Sequence, residues 1–126
     1  VKHLGIPDSH ILLFLADYPA TDPRNRFPGR MFLGNDHSAS VARADVEVDF
    51  RGGDVSVKNF LRVLTGKNHG DLGVPASQML RSGNRSNVLL YMTGHGGDEF
   101  LKFHDIDELG SEQVGAAFAG GRARRA

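Results

Sequence analysis

The sequence predicts an α/β fold organised around a mainly parallel sheet. Two short runs, ILLFLAD at residues 11–17 and NVLLYMTG at residues 87–94, are apolar on both faces, as buried parallel strands are. Residues 57–64 place apolar side chains at helical spacing, and residues 111–120 form a second helical pattern. Strand, helix, strand, helix is the order that parallel sheets need. Two certain core strands make a thin sheet, so we expect the chain to be part of a larger domain.

Length and composition fit one soluble globular domain. The chain has 126 residues, of which 40% are hydrophobic and 24% charged, and its formal net charge is zero. Zero net charge gives no global attraction to nucleic acid or to an anionic membrane. The chain contains no cysteine, which excludes a disulfide, a thiolate metal site and a cysteine nucleophile within these residues. No apolar run approaches the length of a membrane-spanning helix.

The N-terminal half combines a long loop with an acidic strand. Residues 18–40 are rich in Pro, Gly, Asn and Asp and predict an irregular loop. Residues 44–50 alternate, which predicts a strand with Asp45, Glu47 and Asp49 on one face. Like charges about 7 Å apart would attract a hard divalent cation such as calcium. A solvated strand face is the alternative, and the residues alone favour it.

The helix over residues 57–64 is the most secure element. Asp54 or Ser56 precedes it as a candidate N-cap, because a short polar side chain there can accept from the first exposed N–H groups. Gly66 follows it as the expected C-cap.

The remaining elements are shorter. Residues 66–86 are rich in Gly, Ser and Asn and predict a connection with a short helix around ASQML at residues 76–80. EFLKFHD at residues 99–105 predicts a short strand of a hairpin or ribbon beside the apolar run at residues 87–94.

His95 is the first candidate catalytic residue. It lies among glycines in TGHGG, directly after an apolar run, and functional groups collect beyond the carboxyl ends of sheet strands. Glycines permit close backbone approach, and their N–H groups can bind an oxyanion. An ordinary exposed turn histidine is the alternative, and it remains open on position alone. No G-x-S-x-G elbow is present, so a Ser–His mechanism has no candidate.

Five segments taken together resemble a known family: LGIPDSHILLFLAD, DVEVDF, NFLRVLTG, RSNVLLYMTGHGG and FLKFHD. They resemble the catalytic subunits of glycosylphosphatidylinositol (GPI) transamidases, relatives of legumain among the caspase-clan cysteine peptidases, and they cover most of the chain. Gly94 and Gly97 stand where legumain shows an acid and a serine, which favours the transamidase branch. The resemblance implies a caspase-like three-layer α/β fold, incomplete at both ends.

The resemblance also implies functional residues. His95 matches the catalytic histidine of the family, and the backbone N–H of Gly96 matches its oxyanion-hole donor. The family has a structural divalent-cation site, for which we expect calcium, and it uses no organic cofactor. Its ligands are two strand acids, one turn aspartate and one backbone carbonyl, which correspond to Asp8, Ile11, Glu47 and Asp49.

The implied function is transfer of a proprotein to a GPI anchor. The C-terminal signal is cleaved and the new carboxyl end passes to the anchor's ethanolamine through a cysteine thioester. The expected partners are other transamidase subunits, the proprotein signal and the GPI lipid, at the lumenal side of the endoplasmic reticulum membrane, with no nucleic acid. Residues 1–126 would form a partial peptidase domain that ends before the nucleophile-bearing strand and is inactive alone. The alternatives are a legumain-type asparaginyl endopeptidase fragment and a non-catalytic truncated paralogue.

Overall fold

The computed structural model describes residues 2–42, 45–67 and 75–123. The chain divides into two compact units, residues 1–52 and 53–126. Helices and strands both occur, which confirms the predicted α/β class. The strands and helices of the described residues are β1 (Phe14–Leu15), β2 (Phe50–Arg51), α1 (Val57–Thr65), β3 (Gly96–Gly97), β4 (Phe100–Phe103), β5 (Asp107–Gly110) and α2 (Ser111–Ala123).

The first unit contains the parallel pairing. β1 pairs with β2 in parallel, with Phe14 opposite Phe50 and Leu15 opposite Arg51. The rings of Phe14 and Phe50 stack with centroids 4.1 Å apart, and Phe50 is only 3% exposed. Directly opposed side chains lie on the same face of a sheet, so this aromatic pair stabilises the short ladder. In the part of the chain that the structure describes, the parallel sheet is these two strands.

The two strands predicted in this unit are much shorter than expected. Residues 11–17 are mostly half-buried, and only two of them join the ladder. Of the alternating segment predicted at residues 44–50, only Phe50 is in a strand, and Ala44 lies outside the described residues. The Leu13 carbonyl accepts the N–H groups of Asp49 and Phe50, each at 3.1 Å, so pairing starts there. An alternating pattern becomes a strand only where a neighbouring strand supplies hydrogen-bond partners.

The loop at residues 18–40 is irregular, as predicted, and is organised by Asn25. The side-chain amide of Asn25 donates to the carbonyls of Pro19 at 3.0 Å and Arg30 at 2.9 Å. Its side-chain oxygen accepts the N–H of Phe27 at 2.8 Å. One side chain therefore holds three points of the loop together.

In the second unit, α1 has the boundaries that the sequence predicted. Ser56 is the N-cap, and its hydroxyl accepts the N–H of Asn59 at 3.2 Å. Gly66 ends the helix with a φ of 62°, a left-handed conformation that glycine adopts without steric cost. The helix contacts α2 and β5. Its buried residues are Val57, Phe60, Val63 and Leu64.

An antiparallel sheet with the order β3-β4-β5 completes the second unit. β4 confirms the strand predicted within residues 99–105. It pairs with β3 and β5 and not with the run at residues 87–94 as expected, and β5 was not predicted. The ring of Phe103 lies 5.6 Å from that of Phe60 on α1, and Leu109 on β5 is 2% exposed, so the sheet packs on the helix. α2 confirms the second predicted helix and extends it to Ala123. A 3-10 turn at Ala76–Gln78 corresponds to the predicted short helix.

The strand predicted at residues 87–94 is wrong. No ladder forms there among the described residues, and the side chains of Leu89 and Tyr91 are 87% and 80% exposed. An apolar run needs a paired neighbour on at least one side to become a buried strand, and no described segment pairs with this one. The middle of the predicted connection, residues 68–74, and the last residues of the basic tail, 124–126, lie outside the described residues.

Within the described segments, no helix has both the length and the apolar character needed to cross a membrane.

Candidate functional site

His95 lies at the start of a β-hairpin, and its side chain is exposed. It precedes β3, which pairs antiparallel with β4. The His95 carbonyl accepts the backbone N–H of Lys102 at 2.8 Å, so the ladder begins at the histidine itself. The expected setting, at the end of a buried parallel strand, is therefore corrected: the edge of an antiparallel hairpin positions this residue.

The hairpin register directs the N–H of Gly96 away from β4. Gly96 is paired with Leu101, and the hydrogen bond between Lys102 and His95 makes this pair a non-hydrogen-bonded one. In such a pair neither residue directs its N–H toward the other strand. β3 is an edge strand of its sheet, so the Gly96 N–H points outward from the sheet. An outward N–H beside an exposed imidazole can donate to an anionic oxygen.

Close approach of the Phe100 backbone explains why residue 96 is glycine, whereas at residue 97 only the Phe100 ring would have to move. A Cβ atom on Gly96 would lie 2.6 Å from the carbonyl oxygen of Phe100. A Cβ atom on Gly97 would lie 2.5 Å from Cε1 of the same residue's ring. At Gly94, by contrast, the nearest atom would be at 3.8 Å, which is ordinary contact. Sequence reasoning identified the glycines but missed Phe100, since an aromatic residue at that spacing carries no signal of its own.

The four expected calcium ligands all fall in the first unit, but the structure does not gather them into a cluster. Asp8 begins a 3-10 turn that ends at His10, and its backbone carbonyl accepts the N–H of Ile11 at 2.9 Å. The Asp49 carboxylate accepts the N–H of Leu13 at 2.9 Å. Glu47 is exposed. Among the described residues, no three or more His, Cys, Asp or Glu side chains are placed to hold a metal ion.

Asp49 therefore has a structural contact that the sequence did not reveal. Its hydrogen bond to Leu13 connects the end of the acidic segment to the segment leading into β1. The calcium site stays a prediction, because the carboxylates of Asp8, Glu47 and Asp49 do not form a cluster in this structure.

The first unit also contains an open cleft that sequence reasoning did not find. Its volume is about 710 Å³, and residues lining it include Asp17, Asp22, Arg24, Arg30, Phe32 and His37. The Arg24 guanidinium lies 2.8 Å from the Asp22 carboxylate. Hydrogen bonds from the side chain and then the backbone of Arg24 lower the pKa of Asp22 to about 2. In the sequence, the long loop at residues 18–40 was the only signal for this cleft.

Comparison with known proteins gives a consistent family. The peptidase C13 family profile matches residues 1–126. The chain is 49% identical over 118 residues to the GPI-anchor transamidase of Saccharomyces cerevisiae and 51% identical over 118 residues to that of Homo sapiens. It is 46% identical over 117 residues to the GPI-anchor transamidase of Schizosaccharomyces pombe.

These alignments cover 93–94% of this chain but only 28–30% of the relatives. The chain therefore spans less than a third of the length of the proteins that it matches.

Proposed function

Because this chain belongs to the peptidase C13 family, we propose that it is part of the catalytic subunit of a GPI-anchor transamidase. The complete protein would cleave a C-terminal signal from proproteins and transfer the new carboxyl end to the ethanolamine of a GPI anchor. Two features support this: the identity with GPI-anchor transamidases of yeast and human, and the GHGG hairpin.

The chemistry is acyl transfer through a thioester. A cysteine thiolate of the longer protein attacks the carbonyl carbon at the cleavage site. The carbon–nitrogen bond then breaks, and His95 gives the departing amine its proton. Next, the ethanolamine nitrogen attacks the thioester and its proton passes to His95. The carbon–sulfur bond breaks, which regenerates the thiolate and leaves the protein on the anchor.

The observation that carries this proposal is the outward N–H of Gly96 beside His95. Each step forms a tetrahedral intermediate with a negative oxygen, and a preorganised N–H donor stabilises that charge. The hairpin register, which turns the Gly96 N–H outward next to His95 along one edge, supports this role. We assign His95 as the catalytic base and acid and Gly96 as an oxyanion donor.

We further propose a structural calcium ion held by Asp8, the Ile11 carbonyl, Glu47 and Asp49. Oxygen ligands of this kind suit calcium. The ion would supply charge compensation for the acidic segment and take no part in the acyl transfer.

The proposed setting is a multisubunit complex at the lumenal side of the endoplasmic reticulum membrane. Its substrates would be the signal-bearing proprotein and the GPI lipid. The isolated 126 residues would neither cleave nor transfer, since they contain a base but no cysteine. His95-dependent activity in a pure preparation of these residues would contradict this statement.

The test is complementation of cells that lack their own GPI-anchor transamidase. The full-length protein is expressed with a GPI-anchored reporter, and the reporter at the cell surface is measured before and after phospholipase release. Restored, lipase-sensitive display supports anchor transfer. Hydrolysis of the reporter at the same site without anchoring would instead indicate a legumain-type endopeptidase. If the protein folds and assembles but yields neither product, both activities are contradicted, and a non-catalytic paralogue is indicated.

A further inference from the structure

A modification motif lies outside the site described above. Residues 84–86 read Asn-Arg-Ser, the acceptor pattern for N-linked glycosylation, in which any residue but proline separates asparagine from serine or threonine. The sequence contains six asparagines, and Asn84 alone is followed by this pattern. A triplet is a weak signal by itself, so its structural setting decides whether it can function.

The triplet forms the tip of a surface turn. The backbone N–H of Ser86 donates to the carbonyl of Gly83 at 3.1 Å, which closes a turn with Asn84 and Arg85 at its centre. The Ser86 hydroxyl accepts the N–H of Gly83 at 3.0 Å. Asn84 is exposed, and so are its neighbours from residue 83 to residue 89. A glycan attached here would extend into solvent without displacing a buried side chain.

Two other asparagines, Asn25 and Asn59, have structural roles. The side-chain amide of Asn25 holds the loop of the first unit through two carbonyls, and that of Asn59 donates to the carbonyl of Asp54 at 2.9 Å. Asn84 lies instead on a tip that contributes little to packing. Exposed loop tips of polar residues are where bulky additions are tolerated.

We propose that Asn84 carries an N-linked glycan in the mature protein. The side-chain nitrogen of Asn84 forms a bond to the anomeric carbon of an oligosaccharide, donated by a lipid-linked oligosaccharide diphosphate. The bond between that carbon and the diphosphate breaks, the lipid diphosphate leaves, and the amide loses one proton. This inference rests on the proposed lumenal location, because glycan transfer of this kind takes place there.

The test expresses the full-length protein in cultured cells and compares its electrophoretic mobility before and after peptide-N-glycosidase treatment. We expect the wild-type protein to carry a glycan that is lost in Asn84→Gln and in Ser86→Ala and kept in Ser86→Thr. Asn87→Gln is the matched control, because it alters a neighbouring exposed asparagine outside the pattern. It should keep the glycan. Mass spectrometry should then find the peptide containing residue 84 converted to aspartate by the enzyme.

An introduced second acceptor triplet distinguishes failure of Asn84 as a glycosylation site from failure of the proposed lumenal location. Asp36→Asn turns residues 36–38, of which Asp36 and Ser38 are exposed, into an acceptor triplet by one conservative change. A glycan at residue 36 of that variant, with none at residue 84 of the wild-type protein, would overturn Asn84 as a site and leave the lumenal location standing. Absence of a glycan from both residues would overturn both proposals. A glycan at residue 84 of the wild-type protein and a second at residue 36 of the variant would support both.

Discussion

The backbone N–H of Lys102 donates a hydrogen bond to the carbonyl oxygen of His95 at 2.8 Å. This contact fixes the position of the histidine backbone relative to β4, and it sets the register that turns the N–H of Gly96 outward. The proposed base and the proposed oxyanion donor therefore depend on the same hairpin. A change that disturbs the hairpin should affect both together.

Gly96→Ala tests this dependence. The added methyl group would meet the carbonyl oxygen of Phe100 at 2.6 Å, so the hairpin must shift. We expect a loss of about 1–3 kcal/mol in the free energy of unfolding, as for other forced overpacking. Anchor transfer by the complete protein should fall about 100-fold or more, the range seen when an oxyanion donor is lost.

Gly115→Ala is the matched control for that change. It lies within α2 on an exposed position, and an added Cβ would meet nothing within 4 Å. Alanine in a helix interior stabilises by about 0.5–1 kcal/mol relative to glycine. The melting temperature of the Gly115→Ala protein should therefore rise slightly, and its rate of anchor transfer should not change. Equal effects of the two substitutions would contradict the hairpin argument.

Asp107→Ala should destabilise the second unit. The Asp107 carboxylate on β5 accepts the N–H of Val57, the first residue of α1, at 3.1 Å. Removing the acceptor leaves a helix N-terminal N–H without its partner, which costs about 1–3 kcal/mol. Glu108→Ala, at an exposed neighbour, should stay within about 0.5 kcal/mol of the wild type. Denaturant unfolding measures both, and an unchanged midpoint for Asp107→Ala would show that this contact is not stabilising.

The carboxyl group of Asp22 should titrate with a pKa near 2, because the hydrogen bonds from Arg24 stabilise its charged form. The folded pKa lies below the ordinary value of 3.8. The contribution of the ionised Asp22 carboxylate to the stability of the folded protein is therefore present above that value and is lost as the pH falls toward 2. Arg24→Gln should return the midpoint toward 3.8. Carbon-13 NMR of the side-chain carboxyl across this pH range measures the shift, and equal midpoints in the two proteins would exclude the Arg24 side chain as its cause.

Calcium should raise the melting temperature of the complete protein, and Glu47→Gln should reduce that rise. The exposed Glu47 carboxylate is the cleanest probe of the proposed set, because Asp49 also accepts the N–H of Leu13 and its loss would destabilise the protein without calcium. Asp45→Asn, which changes an acid outside the proposed set, is the control and should keep the full rise. No calcium-dependent rise in the melting temperature of the wild-type protein would contradict the proposed calcium site.

Local signals in the sequence were sufficient for the helices. Ser56 begins α1 and Gly66 ends it. Both signals are local, because the Ser56 hydroxyl accepts the N–H of Asn59 and Gly66 adopts a positive φ directly after the helix. The strands needed information from distant partners. The apolar run at residues 87–94 resembles a buried strand, yet strand formation depends on a neighbour that no local pattern encodes.

The roles of His95 and Gly96 stay predictions, whereas the structure corrects their setting. The close backbone approach that the GHGG glycines indicated is present at Gly96, and Phe100 accounts for it. Its position on an antiparallel hairpin follows from the pairing of β3 with β4, and the sequence carries no period for a strand of two glycines. The cleft lined by Arg24 and Arg30 was not predicted, because loop geometry depends on hydrogen bonds such as those of Asn25.

The role of His95 as general acid and base is measured by the rate of anchor transfer by the complete protein carrying His95→Asn, compared with His104→Asn. Both histidines are exposed and lie at the ends of strands of the same antiparallel sheet, His95 before β3 and His104 after β4. His104 has a φ of 56°, a conformation that asparagine tolerates well. We predict that His95→Asn lowers the rate by about 100- to 10,000-fold, as expected for loss of a general acid–base, and that His104→Asn leaves it nearly unchanged. A folded His95→Asn protein that transfers anchors at the wild-type rate would show that His95 is not the catalytic acid and base.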